Sequence, residues 1–359
     1  MRKLKLVVLI AAVLVMGFAL SACNNDTPAP PPTGGGGETA GGGTTATAPD
    51  EVFEFNIVHL VAFEDPLHLS WEYFANLLEE RSEGRIEVNI FGNRVIGNSD
   101  PEAAEMVMQG IMHMTSTPAS VAAGLGNVPQ FRVFDFPYLF QTKDELAYFL
   151  DSPLFMEFSA ELEAATGVRA LPGYSIGWVN IMTTFPAYSY TDLQGERIRT
   201  MASDVQMAYI NSLGASATVV PWGELFTAVQ QGVVDGLITS IGLMVSDRFF
   251  EVCTYMIRSE AFANVHIPQL NVAWYNSLPA DLQEIFDEAF RDFVEYARAR
   301  IGAFGIEAID ILASEGVTIV EMDAAERARV IELTQAVFEE FGDDAGAGTV
   351  EAVQELFGR

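Results

Sequence analysis

Hydrophobic residues recur with two different periods from about Glu51 onward, and the two periods predict strands and helices in turn. Residues 53–57 alternate apolar with polar side chains, as in a strand with one buried face. Apolar residues then recur at helical spacing over 67–78, and Gly84 follows that stretch. A second alternating run at 86–90 completes a strand, helix, strand unit. Such units favour a mainly parallel sheet covered by helices.

The same order of elements returns between Gly195 and Ile238, which predicts a second α/β lobe. The residues between the two lobes, 178–184, are rich in β-favouring side chains. Later in the chain, one apolar stripe over 282–304 predicts a long helix of about 45 Å if it runs unbroken for about 30 residues. Glycines at 302 and 305 could instead kink or divide this helix. The fold class is therefore α/β with two lobes.

The first 22 residues read as a signal peptide and not as part of the fold. Three basic residues precede an apolar run over 6–20, and Leu-Ser-Ala-Cys ends at Cys23. This ending resembles a bacterial lipobox, which implies cleavage before Cys23, lipid attachment to its thiol (palmitate among the acyl chains) and anchoring to the cell membrane. A transmembrane anchor is the less favoured alternative. Residues 24–50 hold seven Gly, five Pro and six Thr, so 23–50 is predicted to be a lipidated cysteine followed by a flexible tether.

Composition narrows the possible functions. The 359 residues carry 19 Lys plus Arg against 49 Asp plus Glu, a net charge of -30, which argues against nucleic acid as a partner. Half of the residues are hydrophobic, so the chain is long and apolar enough for two cores. Two cysteines cannot form a disulfide scaffold, and after lipidation of Cys23 we expect Cys253 to be a buried small hydrophobe.

One segment of the sequence matches a motif of serine hydrolases. Residues 173–177 match G-x-S-x-G around Ser175, and Asp235 and His266 follow in the order of an α/β-hydrolase triad. That motif needs a helix directly after the serine, whereas residues 178–184 favour a strand. A serine hydrolase therefore stays an alternative, and we expect no enzymatic activity.

Motifs for cofactors and metals are also missing from the sequence. There is no P-loop, and Gly124-Leu125-Gly126 does not continue into a dinucleotide fingerprint. The four histidines lack a metal-ligand spacing. We therefore expect neither a cofactor nor a metal.

Several ordered segments carry a resemblance to a known family. They are Glu83 to Val88, Gln109-Gly110, Val133 to Phe140, Asp192 to Arg199, Leu213 to Ala215, Pro221 to Gln230 and Gly232 to Gly236. Over about residues 53–340 the chain resembles the solute-binding protein of a tripartite ATP-independent periplasmic (TRAP) transporter, of the dicarboxylate-binding type. The resemblance implies a two-lobed fold like that of periplasmic binding proteins, with crossing strands and a long bridging helix that close over a small ligand.

Lobe boundaries and partners follow from this resemblance. The first lobe would take 51–176 plus about 265–304, and the second 177–264 plus about 305–359. The partners implied are a small organic acid and the integral membrane permease subunits, with the protein monomeric and held outside the cytoplasm by its lipid anchor. A sensor lobe that feeds a signalling receptor is a further alternative.

The resemblance also implies ligand-binding residues in the second lobe. Arg199 occupies the position of the family's carboxylate-binding arginine, whose planar fork gives bidentate hydrogen bonds. Trp222 stands where the family has a stacking aromatic residue. The alternatives are a structural ion pair for Arg199 and core packing for Trp222.

In the first lobe, His59, Asn98, Ser99 and Thr117 lie near positions that line the family's cleft. Relatives often carry a second arginine where this chain has Val179, and many carry Asn in a Gln-Glu-Asn-Pro run where this chain has Leu237-Ile238-Thr239-Ser240. Two anchors for a charged ligand are therefore missing. We expect Thr239, Trp178 and Asn180 to fill the altered pocket. We expect a monocarboxylate with an apolar or amide-bearing tail in preference to a dicarboxylate or sialic acid, with a non-acid ligand as the alternative.

Overall fold

The computed structural model describes residues 51–359, so the predicted signal peptide (1–22), Cys23 and the tether (23–50) lie outside the described residues. The strands are β1 (Phe53–Val58), β2 (Ile86–Phe91), β3 (Met114–Pro118), β4 (Val168–Ala170), β5 (Tyr174–Thr183), β6 (Arg197–Thr200), β7 (Ser216–Val219), β8 (Gly236–Ser240), β9 (Tyr255–Arg258), β10 (Ala263–Asn271) and β11 (Thr318–Glu321). The α-helices are α1 (Pro66–Arg81), α2 (Asp100–Met108), α3 (Ala119–Leu125), α4 (Lys143–Leu150), α5 (Pro153–Thr166), α6 (Asp204–Ser212), α7 (Trp222–Gln230), α8 (Ile241–Ser246), α9 (Val272–Ser277), α10 (Ala280–Ser314), α11 (Ala324–Phe341) and α12 (Thr349–Leu356).

Side-chain caps fix where the first two helices begin. The carboxylate of Asp65 accepts a hydrogen bond from the Leu67 amide at 2.8 Å, ahead of α1. The Ser99 hydroxyl accepts from the Glu102 amide at 3.4 Å, ahead of α2. Ser99 is therefore a capping residue at the entrance to α2.

Two sheets make up the two lobes, and they share strand β5. In the first sheet β2, β1 and β3 are parallel, and β10 pairs antiparallel with β3, β4 and the start of β5. In the second sheet β7, β6 and β8 are parallel, while the end of β5 pairs antiparallel with β8 and β9, and β11 lies beside β9. The predicted α/β fold with two lobes and a crossing strand is confirmed.

The change of partner within β5 occurs at a glycine. Trp178 pairs with Ala263 of the first sheet, and Val179 pairs with Ser240 of the second. Just before this point Gly177 has φ of +117°, and a Cβ there would lie 3.1 Å from the Ser240 Cβ. Glycine is needed because a side chain would meet both backbone strain and crowding.

Helix α10 spans both lobes without a break. Its 35 residues extend about 52 Å, and it continues through Gly302 and Gly305, where a sequence-based division was possible. Its first half packs with α1 in the first-lobe core, through side chains such as Phe286 and Phe293. Near its end, Leu312 belongs to a second-lobe core. The predicted bridging helix is confirmed.

The C-terminal residues depart from the predicted lobe boundary. Val350 and Val353 of α12 share a core cluster with Phe131 and Phe134, which precede β4. The resemblance implies that about 305–359 belongs to the second lobe. The end of the chain instead packs on residues assigned to the first lobe, because that cluster of aromatic side chains needs an apolar cover.

Two smaller observations complete the fold. Cys253 is fully buried, as expected, and burial raises the pKa of its thiol to about 12. Among residues 51–359, no helix combines the length and the apolar character needed to cross a bilayer.

Candidate functional site

A small cavity lies where the two lobes meet. It measures about 40 Å³. The end of β1, strand β3 and strand β10 supply its first-lobe face; β6, β8 and the start of α7 supply its second-lobe face. The polar or aromatic residues on its wall are His59, Asp100, Ser116, Arg199, Gln206, Trp222, Thr239, Asn264 and His266.

Arg199 is the buried cation of this cavity. Strand β6 lies between β7 and β8, and alternation along it buries Ile198 in a core cluster while Arg199 lines the cavity. The side chain is 4% exposed, and its Nε donates to the Val220 carbonyl at 2.9 Å. Within residues 51–359 neither Nη1 nor Nη2 has a hydrogen-bond partner. Two parallel donors are thus free for a planar anion such as a carboxylate.

Burial and one nearby carboxyl control the electrostatics of this arginine. Burial lowers the pKa of Arg199 to about 10, against the opposing influence of Asp100, so Arg199 stays charged at neutral pH. Burial likewise raises the pKa of the Asp100 carboxyl to about 6, although Arg199 and Arg94 pull it down. The described part of the chain holds no ion pair between Asp100 and Arg199. The guanidinium is therefore attracted to Asp100 but is not paired with it in the described residues, so it can still bind a ligand anion.

Trp222 is the aromatic neighbour of the arginine. It is the first residue of α7, directly after Pro221, and the centre of the Arg199 guanidinium lies 5.4 Å from its ring centroid. Its ring also packs edge-on against Phe249, with centroids 5.5 Å apart. Both roles considered from the sequence, ligand stacking and core packing, are open to a half-buried ring in this position.

The first-lobe face is polar but uncharged. Burial lowers the pKa of His59 to about 3, with help from His68 and His266, and burial lowers the pKa of His266 to about 4. Both rings are therefore neutral at pH 7. Nδ1 of His59, Nδ1 of His266 and Oδ1 of Asn264 are buried and have no protein partner in the described residues. Buried polar atoms are normally satisfied, so this face is short of hydrogen-bond partners.

The structure brings together four of the nine predicted ligand-binding residues on the cavity wall. They are His59, Arg199, Trp222 and Thr239. Ser99 lies further out, in the 550 Å³ cleft that shares Asp100, Arg199 and Trp222 with the cavity. Asn98 is exposed at the same entrance, where its carbonyl oxygen would lie 3.0 Å from a Cβ added to Gly223.

The remaining three predicted residues lie elsewhere. Thr117 is buried and accepts a hydrogen bond from Gln269 Nε2 at 2.6 Å, because its side chain leaves β3 on the face opposite to Ser116. Trp178 and Asn180 line a separate groove of about 420 Å³. Asn180 also donates to the Trp178 carbonyl at 2.9 Å, so its amide holds the β5 backbone. The structure gives Thr117, Trp178 and Asn180 no place on the cavity wall.

Five wall residues were not selected from the sequence as ligand-binding residues. They are Asp100, Ser116, Gln206, Asn264 and His266. Asn264 and His266 carried a usable signal, since they alternate with Val265 and Ile267 along a strand that is otherwise apolar there. Ser116 required the register of β3, which periodicity in a short run does not define.

The hydrolase alternative does not have the required geometry. Ser175 lies inside β5, so no helix follows it, and its hydroxyl accepts a hydrogen bond from the Gly177 amide at 3.0 Å. Asp235 is engaged by Arg197, which donates from Nε at 2.9 Å and from Nη2 at 2.7 Å. Ser175 also lines the separate groove and not the cavity that His266 lines.

Groups that could bind a metal were also considered. Among residues 51–359 no set of three or more His, Cys, Asp or Glu side chains is placed to hold a metal ion. The cavity wall supplies hydrogen-bonding groups, the carboxyl of Asp100 and the guanidinium of Arg199.

Comparison with known proteins adds to this geometry. The sequence profile of the family described as bacterial extracellular solute-binding protein, family 7 (DctP) matches residues 57–344. The C4-dicarboxylate-binding periplasmic protein DctP of Rhodobacter capsulatus is 27% identical over 310 residues, covering 86% of this chain and 92% of that protein.

Two solved structures are similar over most of their length. The sugar acid binding protein DctPAm of Advenella mimigardefordensis, in complex with galactonate, has a TM-score of 0.81 and 25% identity, over 85% of this chain and 97% of that one. A TRAP periplasmic solute binding protein of Desulfovibrio salexigens, with bound orotic acid, has a TM-score of 0.78 and 26% identity, also over 85% and 97%.

Proposed function

Because the chain belongs to the bacterial extracellular solute-binding protein family 7, we propose that it captures a small organic acid between its lobes and delivers it to TRAP permease subunits. The observation that carries this proposal is Arg199, buried beside an interlobe cavity, whose two terminal nitrogens have no hydrogen-bond partner among residues 51–359. A buried cation without a full set of partners is costly, and a ligand carboxylate would supply the missing acceptors.

The ligand we propose has one carboxylate and several hydroxyl groups. Only one cation, Arg199, lines the cavity in the described part of the chain, and the two histidines on the opposite wall are neutral. A second carboxylate would meet no charged partner there. Hydroxyl groups suit the polar side chains of His59, His266 and Asn264 on this wall, since a hydroxyl both donates and accepts. This replaces the apolar or amide-bearing tail that we expected from the sequence.

Two similar proteins bear on this choice. The galactonate complex of DctPAm supports a hydroxylated acid, and the name of the Rhodobacter protein supports a C4-dicarboxylate. We favour the hydroxylated monocarboxylate because the cavity wall is uncharged opposite Arg199.

Location and assembly complete the proposal. We place the protein outside the cytoplasm, attached to the membrane by lipid on Cys23 and acting as a monomer that closes over its ligand. Substituting Cys23 with serine should release the protein from the membrane fraction. Membrane retention of the unprocessed substituted protein would argue for a transmembrane segment instead.

The test is a thermal-shift screen with galactonate, erythronate, orotate and succinate. A ligand that binds only the folded protein stabilises it by about 2.7 kcal/mol at 100 times its Kd, so a true ligand raises the Tm clearly. We expect a hydroxylated monocarboxylate to do so with the wild type and not with Arg199→Ala. An equal rise with Arg199→Ala would contradict the proposed carboxylate site.

A further inference from the structure

A buried carboxylate lies directly behind one residue of the cavity wall. Gln206 lines the cavity from α6 and is 1% exposed. Its Nε2 donates to Oδ1 of Asp135 at 2.8 Å, and the Ser203 hydroxyl donates to Oδ2 of the same carboxylate at 2.7 Å. Among residues 51–359, those that line the cavity include Gln206 but not Asp135. The carboxylate therefore contacts the wall from behind.

Packing and a helix cap hold this contact in place. Asp135 ends a short 3-10 helix, and Gln206 lies in the first turn of α6. Next to them along the chain, Phe134 and Val205 belong to the same core cluster. Ser203 caps α6, since its hydroxyl accepts from the backbone amide of Gln206 at 3.3 Å. The side-chain amide of Gln206 is thus fixed between Asp135 and the cavity.

Hydrogen counting determines which way this amide is turned. A carboxylate oxygen only accepts, so the NH2 group of Gln206 has to face Asp135 and its carbonyl has to face away. Burial raises the pKa of Asp135, while hydrogen bonds from Ser203 and Gln206 lower it. A proton on Asp135 would leave the amide unchanged, because Oδ2 would donate that proton to the Ser203 hydroxyl while Oδ1 goes on accepting.

The carbonyl oxygen of the amide is what Gln206 offers to a ligand. Oε1 has no hydrogen-bond partner among residues 51–359, and it still has accessible surface, unlike Nδ1 of His59 and Nδ1 of His266. Because Gln206 is otherwise buried, this surface faces the cavity that the residue lines. A carbonyl oxygen accepts a hydrogen bond from a hydroxyl but gives none to a carboxylate, which also only accepts.

We propose that Gln206 is a specificity-determining residue that disfavours a second carboxylate on the ligand, and that Asp135 is the positioning residue that turns its amide. This inference rests on the proposed function for its ligand, whereas the contact between Asp135 and Gln206 does not. A carboxylate placed against Oε1 leaves two buried acceptors without a donor, which is costly. A hydroxyl at the same place satisfies Oε1. The arrangement therefore favours a hydroxylated monocarboxylate over a dicarboxylate.

The test is Asp135→Asn with two four-carbon acids, erythronate with one carboxylate and succinate with two. Asparagine donates as well as accepts, so the amide of Gln206 can turn and present Nε2 to the cavity. Succinate then gains a donor, whereas an erythronate hydroxyl finds a partner in either orientation. By calorimetry we expect the preference for erythronate over succinate to fall about tenfold, mainly through tighter binding of succinate.

Asp204→Asn is the matched control. It removes the same charge from an exposed position two residues before Gln206 on α6, and it should leave the preference unchanged. A purely structural role for Asp135 predicts that Asp135→Asn weakens both acids by the same factor. Equal losses for the two acids, or an equal change of preference in Asp204→Asn, would overturn the proposal. If Asp135→Asn does not fold, Gln206→Met decides, since removal of the acceptor should also lower the preference.

An exchange of the two side-chain types tests the contact without a ligand. Gln206→Glu should lower the melting temperature, because two buried carboxylates then meet at the same contact. Adding Asp135→Asn should restore most of the loss, since the asparagine donates to the new carboxylate. The double variant again presents an acceptor to the cavity, so it should keep the preference for erythronate that Asp135→Asn alone loses.

The two readouts separate the possible failures. A double variant that melts no higher than Gln206→Glu would overturn the contact and the proposal with it. If neither acid binds the wild type, the proposed ligand class fails and the specificity role falls with it, while the melting temperatures still decide the contact.

Discussion

The two walls of the cavity differ in how they can recognise a ligand. The second-lobe wall carries a full charge on Arg199 and an aromatic face on Trp222. The first-lobe wall carries two neutral imidazole rings and one amide, those of His59, His266 and Asn264. Charge therefore selects for an acid from one side, while hydrogen bonds select its shape from the other. The protein's net charge of -30 repels anions at long range, so selectivity has to come from these short-range contacts.

Removal of the charged wall should have the largest effect. Truncating one partner of a buried charged pair costs about 2 to 5 kcal/mol, so Arg199→Ala should weaken acid binding by about 30-fold to several thousand-fold. Lysine at this position should restore only part of the affinity, because it lacks the planar fork. Calorimetry measures both, with the exposed Arg291→Ala as control. If folded Arg199→Ala binds the acid with wild-type affinity, the charge on the second-lobe wall does not select the acid.

The neutrality of the opposite wall can be tested through stability. His266 has a lowered pKa of about 4, so the unfolded chain takes up a proton first as the pH falls below about 6.5. Its contribution to stability is present above that value and is lost as the pH falls towards 4, by about 3 kcal/mol. The free energy of unfolding of His266→Gln should fall correspondingly less over the same pH range. Asp65 and Asp100 have raised pKa values, so they change the free energy of unfolding with pH in the opposite direction. Their effect is the same in the wild type and in His266→Gln. Denaturant titrations at several pH values measure the difference, and parallel curves would mean that folding does not shift the pKa of His266.

Trp222 tests whether the aromatic face belongs to the charged wall. A cation–π contact is worth about 0.5 to 2 kcal/mol, so Trp222→Leu should weaken binding by about 2- to 30-fold. Trp222→Phe should retain most of the affinity, since an aromatic face remains. Calorimetry with the same acid is the measurement. A loss of melting temperature with unchanged affinity would assign the ring to packing against Phe249 instead.

Substitution of Asp100 should change the affinity for the acid least, and it tests the effect of the acidic group near Arg199. Its pKa of about 6 leaves most of the carboxyl charged at pH 7, where it attracts Arg199 and repels a ligand carboxylate. We expect Asp100→Asn to tighten acid binding by about three- to tenfold. Weaker binding would show that Asp100 accepts a hydrogen bond from the ligand itself.

Much of the fold was accessible from local sequence signals. Alternation and helical spacing predicted β1, α1 and β2, and the β-rich run at 178–184 predicted the strand that excludes a nucleophile elbow. The resemblance to TRAP solute-binding proteins is confirmed by the family match over 57–344. The position of β10 between β3 and β5 was not accessible, because it joins segments more than eighty residues apart.

Residues of the candidate site could be selected from the sequence where their type was distinctive. They could not be selected where strand register determines which of two similar neighbours faces the cavity. Arg199 and Trp222 are unusual residues in their segments, and both line the cavity. Ser116 and Thr117 are neighbours of similar chemistry, and a step of one residue moves a strand side chain to the opposite face. The same alternation would have pointed to Asn264 and His266.

The placement of β10 also has a consequence for the order in which the molecule can be assembled. This strand completes the first-lobe sheet, yet it is synthesised after β6, β7 and β8, which pair with one another. A chain that grows from its N-terminus therefore exposes the edge of β3 until residue 271 has been made. Unpaired strand edges recruit strands from other molecules, so this interval is when nascent chains are most prone to aggregate.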